Sequence, residues 1–144
     1  MTANIKSKRV APDRQINHLG GQFVKNSEFV DGTSSSYISK YDIVVINGAA
    51  GAYQTVERAE DGGTKETYLA VAIQQIRDFG AIAEWAQVTG VDTSTATLVE
   101  DPVYLSDSVP GAWVIAAPAG APIIVGKVLV KHATEGVVLL KPLV

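Results

Sequence analysis

Few residues in this 144-residue chain have the types and spacing for chemistry: His18 and His132, the acid pairs Glu60-Asp61 and Glu100-Asp101, the run Ser34-Ser35-Ser36, and the glycine-bearing stretch Asn47 to Gly51. Each implies a definite chemistry. Histidines would ligate a metal or shuttle protons, but neither has a second histidine at ligand spacing and no HExxH pattern exists. Adjacent carboxylates bind a divalent cation or share a proton, yet both pairs flank turn residues, where solvated loop acids are expected. Asp31, Asp92 and Asp107 likewise read as turn formers. The serines have no neighbouring base and no GxSxG elbow. Asn47-Gly48-Ala49-Ala50-Gly51 lacks the GxxxxGK[ST] signature of a phosphate loop, and a hairpin turn accounts for it better. With no cysteine, thiolate ligands, disulfides and thiol nucleophiles are all excluded. The expectation is a protein that catalyses nothing and holds no cofactor or metal.

The elements that would have to position these groups are short and read as β. Val103-Tyr104-Leu105, Ala112 to Ile115, Ile123 to Val130 and Val137 to Leu140 are rich in β-branched and aromatic residues. Ser106 to Gly111, Ala116 to Pro122 and Ala133 to Gly136 separate them, each with a glycine and two with a proline. Upstream, Tyr41 to Ile46 predicts a strand ended by Asn47-Gly48, with Tyr53 to Val56 as its hairpin partner. Phe23-Val24 and Phe29-Val30 read as short strands, Asp31 to Ser36 as a loop too polar for the core, and Glu57 to Glu66 as an acidic loop. Residues 67–79 fit two periods. Leu69, Ala72, Ile73, Ile76 and Phe79 form a helical stripe, whereas Leu69, Val71 and Ile73 alternate as in a strand. The β context decides for a strand with a turn near Arg77 to Gly80. Ile82 to Val91 is read as one further strand around Trp85 and Val88, closed by a turn over Asp92 to Thr95; a tryptophan there, like Trp113, is most often core or a packing anchor. The fold class expected is all-β, a sandwich or barrel of about eight to ten short strands, with a jelly roll among the candidate topologies.

Charge is uneven along the chain. Residues 1–25 carry Lys6, Lys8, Arg9, Arg14 and Lys25 against Asp13, while the remainder is acidic and brings the total to -3. Pro12 and Gly20-Gly21 interrupt any regular element there, so residues 1–25 read as an extended basic arm and residues 26–144 as a single β domain. Lys6, Lys8, Arg9 and Arg14 are the candidate interaction residues, suited to an acidic partner surface. The arm has no aromatic among its clustered charges and the body is acidic, so specific nucleic-acid binding is not expected. No apolar run nears the ~20 residues of a membrane span, and the basic start leads into no signal-like apolar stretch.

The phrases Val91-Asp92-Thr93-Ser94, Asp101-Pro102-Val103-Tyr104-Leu105-Ser106, Ala116-Ala117-Pro118, Val125-Gly126-Lys127-Val128-Leu129 and Gly136-Val137-Val138-Leu139-Leu140-Lys141-Pro142 together resemble the head decoration, or capsid cement, proteins of tailed bacteriophages. The resemblance covers about a third of the chain well and Tyr41 to Val56 more loosely; the arm lies outside it. It implies an all-β homotrimer on the outer face of the expanded capsid. There it would bind the major capsid protein and neighbouring decoration trimers and stabilise the shell against packaged DNA. The virion exterior would be its location after synthesis in the host cytoplasm. A phage tail or fibre component is the nearest alternative, followed by a small trimeric all-β hydrolase with its site between subunits, and by a host-surface or carbohydrate-binding module.

Overall fold

A computed structural model describes residues 22–60, 68–120 and 122–142. Ten strands run through them: β1 Gln22–Asn26, β2 Ile43–Ala50, β3 Tyr53–Arg58, β4 Leu69–Ala72, β5 Phe79–Ala83, β6 Ala86–Val91, β7 Pro102–Leu105, β8 Trp113–Val114, β9 Ile124–Val130 and β10 Gly136–Leu140. The one helical turn among the described residues is a 3₁₀ turn at Ser34–Ser36. The protein is all-β.

The first five strands close into a barrel in the order β1-β3-β2-β4-β5 and back to β1. Only β1 and β3 run parallel; the other pairs are antiparallel. The last five form a second, wholly antiparallel sheet in the order β6-β10-β9-β7-β8.

Side chains alternate across a strand, and here that alternation feeds two cores. Val24, Val44, Val56, Ala70, Ala72, Ile76 and Ile82 fill the barrel, joined by Ile38. From the same strands β2 and β4, Ile43, Val45, Leu69 and Val71 point the other way. They pack with Val88, Val103, Leu105, Val125, Val128, Val138 and Leu140 of the second sheet. Strands buried on both faces lose their polar alternation. That explains the continuous apolar runs IVV and LAVA, and why the period of residues 67–79 was ambiguous. The strand reading holds for Leu69–Ala72. Ala70 and Ala72 are small because the lumen of a five-stranded barrel is narrow.

Several sequence expectations are corrected. Gln22 to Lys25 is not the end of an arm but most of β1, paired on both sides within the barrel. Phe29-Val30 is not a strand; it links two turns, one at Ser27-Glu28 and one at Asp31-Gly32. Ser36 is buried, against the expectation of a loop too polar for core. Its hydroxyl accepts from the Val30 N–H at 3.0 Å and donates to the Thr33 carbonyl at 2.7 Å, which removes the cost of burying it. Asn47-Gly48 does not end β2. It forms a bulge, and the hairpin turns after two further residues, at Gly51-Ala52, where Gly51 has φ +62°. Gly80 belongs to β5, so the turn expected near Arg77 to Gly80 falls earlier, between Ile73 and Asp78. Ile82 to Val91 is two strands, broken at Glu84-Trp85, and Trp85 is 51% exposed rather than core. Trp113 does pack against the second core, and its Nε1 donates to the Tyr41 carbonyl at 3.0 Å, tying sheet to barrel.

Candidate functional site

Lys6, Lys8, Arg9, Arg14 and His18 lie outside the described residues, as does Asp61 of the first acid pair. The other candidates shape loops. His132 is exposed, and its Nδ1 accepts from the N–H groups of Thr134 at 3.0 Å and Glu135 at 2.9 Å, bracing the β9–β10 turn. The Asp92 carboxylate accepts from the Ser94 hydroxyl at 2.6 Å and the Ser94 N–H at 2.9 Å. Those bonds hold its carboxyl below the ordinary range, the hydroxyl contributing most. Asp101 accepts from the N–H groups of Thr97 and Leu98 at 2.7 and 3.0 Å. Asn47 is bridged to Ser27 and Thr55 through its side-chain amide. Among the described residues no three His, Asp or Glu side chains are grouped as a metal site would need.

One charged cluster sits where barrel meets sheet. The Arg58 guanidinium lies 3.2 Å from Glu28. Beside it Asp42 accepts from the Ser39 N–H at 3.0 Å. Burial pushes the Asp42 carboxyl above its ordinary range, with the Ser39 bond and Arg58 pulling it partly back. Gly111 closes the cluster: a Cβ there would stand 3.0 Å from the Asp42 carboxyl carbon, and its φ of +79° favours glycine. Its backbone carbonyl and N–H bond Ile43 and Ala59, both at 2.8 Å, stitching the two halves. With an arginine bonded to one acid and a backbone donor on the other, this cluster has the geometry of a structural clamp.

Two surfaces have no such internal explanation. The first is on the barrel. Phe23 of β1, Tyr53 of β3 and Phe79 of β5 are exposed by 54%, 41% and 39%, yet their rings contact one another with centroids 5.1 to 5.9 Å apart. Lys25, directly opposite Phe79 in the ladder, holds its ammonium 4.9 Å from that ring and pairs with Asp78. Beyond Phe23, Gln22 hydrogen-bonds Gln54. In the barrel's order β1 pairs with neither β2 nor β4, the strands that face the second sheet. The three rings therefore lie on the wall away from the shared core, centred on Phe23 of β1, the strand that follows the basic residues 1–21 in sequence.

The second surface is the outer face of the second sheet. Pro102, Ile124, Gly126 and Leu139 floor an open groove of about 450 Å³, rimmed by Glu100, Lys127 and Lys141. Inward neighbours Val103, Val125, Val138 and Leu140 are fully buried, so β10 is apolar on both faces and β9 is interrupted on its outer face only by Lys127. Sequence reasoning passed over both surfaces. The signal available was adjacent apolar pairs in short strands, Phe23-Val24 or Leu139-Leu140, because one member of such a pair must face outward. Nothing in sequence brings positions 23, 53 and 79 together; only barrel closure does.

Comparison with protein-family models, curated proteins and solved structures returns no match.

Proposed function

We propose that the chain is a structural protein of a tailed-phage virion, a decoration protein that sits on the outer face of the capsid as a homotrimer. It would stabilise the shell against packaged DNA without catalysing a reaction. The observation that carries this reading is the set of phrases from Asp101 to Pro142 that resemble decoration proteins. Those phrases supply three of the five strands of the second sheet, β7, β9 and β10. The surfaces described above support a role by contact. Aromatic clusters and apolar faces of this kind are what protein interfaces bury.

In this reading the barrel wall bearing Phe23, Tyr53 and Phe79 faces the shell, together with the basic segment that precedes it. The major capsid protein and neighbouring trimers supply the acidic surface for Lys6, Lys8, Arg9 and Arg14. Three linked contacts per trimer raise avidity by ~10²–10⁴ over a single one, so each can be weak. The test is occupancy on purified expanded capsids that lack the protein, followed by electron microscopy. The full chain should saturate sites numbering hundreds per particle. A Lys6→Ala, Lys8→Ala, Arg9→Ala, Arg14→Ala variant should bind at least about tenfold more weakly at physiological salt. A full chain that leaves heads bare, or that decorates only tails, would overturn the assignment.

A further inference from the structure

Resting on the trimer reading, we infer that the copies contact one another through the outer face of the second sheet, with Glu100 of one copy against Lys141 of the next.

An antiparallel sheet with one solvated face ordinarily shows polar residues there. Strand β10 does not: Gly136-Val137-Val138-Leu139-Leu140 is apolar throughout, with Val138 and Leu140 buried and Val137 and Leu139 half-buried on the outside. Ile124 of β9 is exposed in the same groove, and Leu98-Val99 stand exposed immediately before Glu100. A surface of this composition is covered in the working molecule.

The charges choose the occupant. Across the groove the order is β10, β9, β7. Lys141 follows β10 on one flank, and Glu100 precedes β7 on the other. Lys127 lies between them and makes only a long 3.9 Å contact with Glu100, both side chains largely in water. One apolar face thus carries a base on one edge and an acid on the other. Contacts between unlike patches of identical chains close into rings where the rotation from copy to copy closes, as a trimer requires. Around a threefold axis, the basic edge of each copy meets the acidic edge of the next over the apolar floor. A face matched to a differently charged partner would not need both signs. The arrangement also leaves the three aromatic rings, on the barrel's far wall, clear of the ring contact.

The test uses the full chain in solution with no capsid present. By analytical ultracentrifugation the wild-type chain should sediment at three times its 15.2 kDa mass. Ile124→Asp should be monomeric. Glu100→Lys and Lys141→Glu should each raise the concentration for half-assembly by about tenfold or more, and the double swap should return it to near the wild-type value. These side chains are exposed, and circular dichroism checks that each variant folds. Because the chain has no cysteine, a second measurement is clean: the Glu100→Cys, Lys141→Cys double variant should oxidise to a covalent trimer, while either single cysteine stays uncrosslinked. Wild-type mass from Ile124→Asp, no recovery in the double swap, homodimers from a single cysteine, or a wild-type monomer would each overturn the interface. Bare heads in the occupancy experiment, alongside an intact trimer in solution, would overturn the capsid assignment alone.

Discussion

Thr93 is fully buried and its hydroxyl is a small hub. The hydroxyl oxygen accepts from the His132 N–H at 2.8 Å, and the hydroxyl lies 2.8 Å from the Val130 carbonyl it can donate to. The Thr93 N–H also donates to the His132 carbonyl at 2.9 Å. Gly136 leaves room for this: a Cβ there would fall 2.2 Å from the Thr93 hydroxyl oxygen. Thr93→Val keeps the shape but leaves the part-buried His132 N–H and Val130 carbonyl without their hydroxyl partner, so it should cost about 1 kcal/mol in urea unfolding. Asp42 behaves in the opposite sense. Its carboxyl is raised in the folded state, so the unfolded chain releases that proton first as pH rises. Stability therefore falls between the ordinary carboxyl pKa and the higher folded one, and the penalty persists above both. Asp42→Asn, which can still accept from Ser39, should stabilise the protein at pH 7 and lose that advantage at pH 3; denaturation midpoints at the two values measure it. Asp92 and Trp85 mark the limits of sequence at this scale. An aspartate two residues before a serine announces its turn. A tryptophan between two apolar strands does not announce which side of a break it will occupy.

At the scale of elements, the strands from Val103 to Leu140 were legible because glycine and proline punctuate them and their residues favour extended backbone. Barrel closure was not legible, since no local pattern states that β1 pairs with β3 in parallel across thirty residues. The doubly apolar strands are where both facts meet. Ala72 faces the narrow lumen and Val71 the shared core. Ala72→Leu should overpack the barrel and lower stability by about 1–3 kcal/mol, read as a drop in melting temperature. Leu105→Ala, emptying space between sheet and barrel, should cost about 2–5 kcal/mol. The arm boundary illustrates the same limit: Phe23-Val24 reads as a short strand, but only its pairing on two sides shows that Gln22 to Lys25 belongs to the barrel and not to the arm. By charge Lys25 groups with the basic arm, but its ammonium serves Asp78 and the Phe79 ring.

For the molecule as a whole, the wall formed by β2 and β4 belongs to both cores, and Trp113 and Gly111 bond across the junction. Barrel and sheet should therefore unfold together. Thermal melts followed by tryptophan fluorescence, which reports Trp85 and Trp113 near the second sheet, should coincide with those followed by far-ultraviolet circular dichroism. Two separated transitions would show that the shared wall does not couple them. The position of β1 has a mechanical consequence. It is the first strand of the barrel, held between β5 and β3, with Gln22 at its leading end. Tension entering there runs along the strand, across the direction of its ladder bonds. Those bonds then bear the load side by side and must give way together, instead of opening one after another like a zip. If the chain fastens a shell as proposed, a strand locked on both flanks is the place where that load would be anchored.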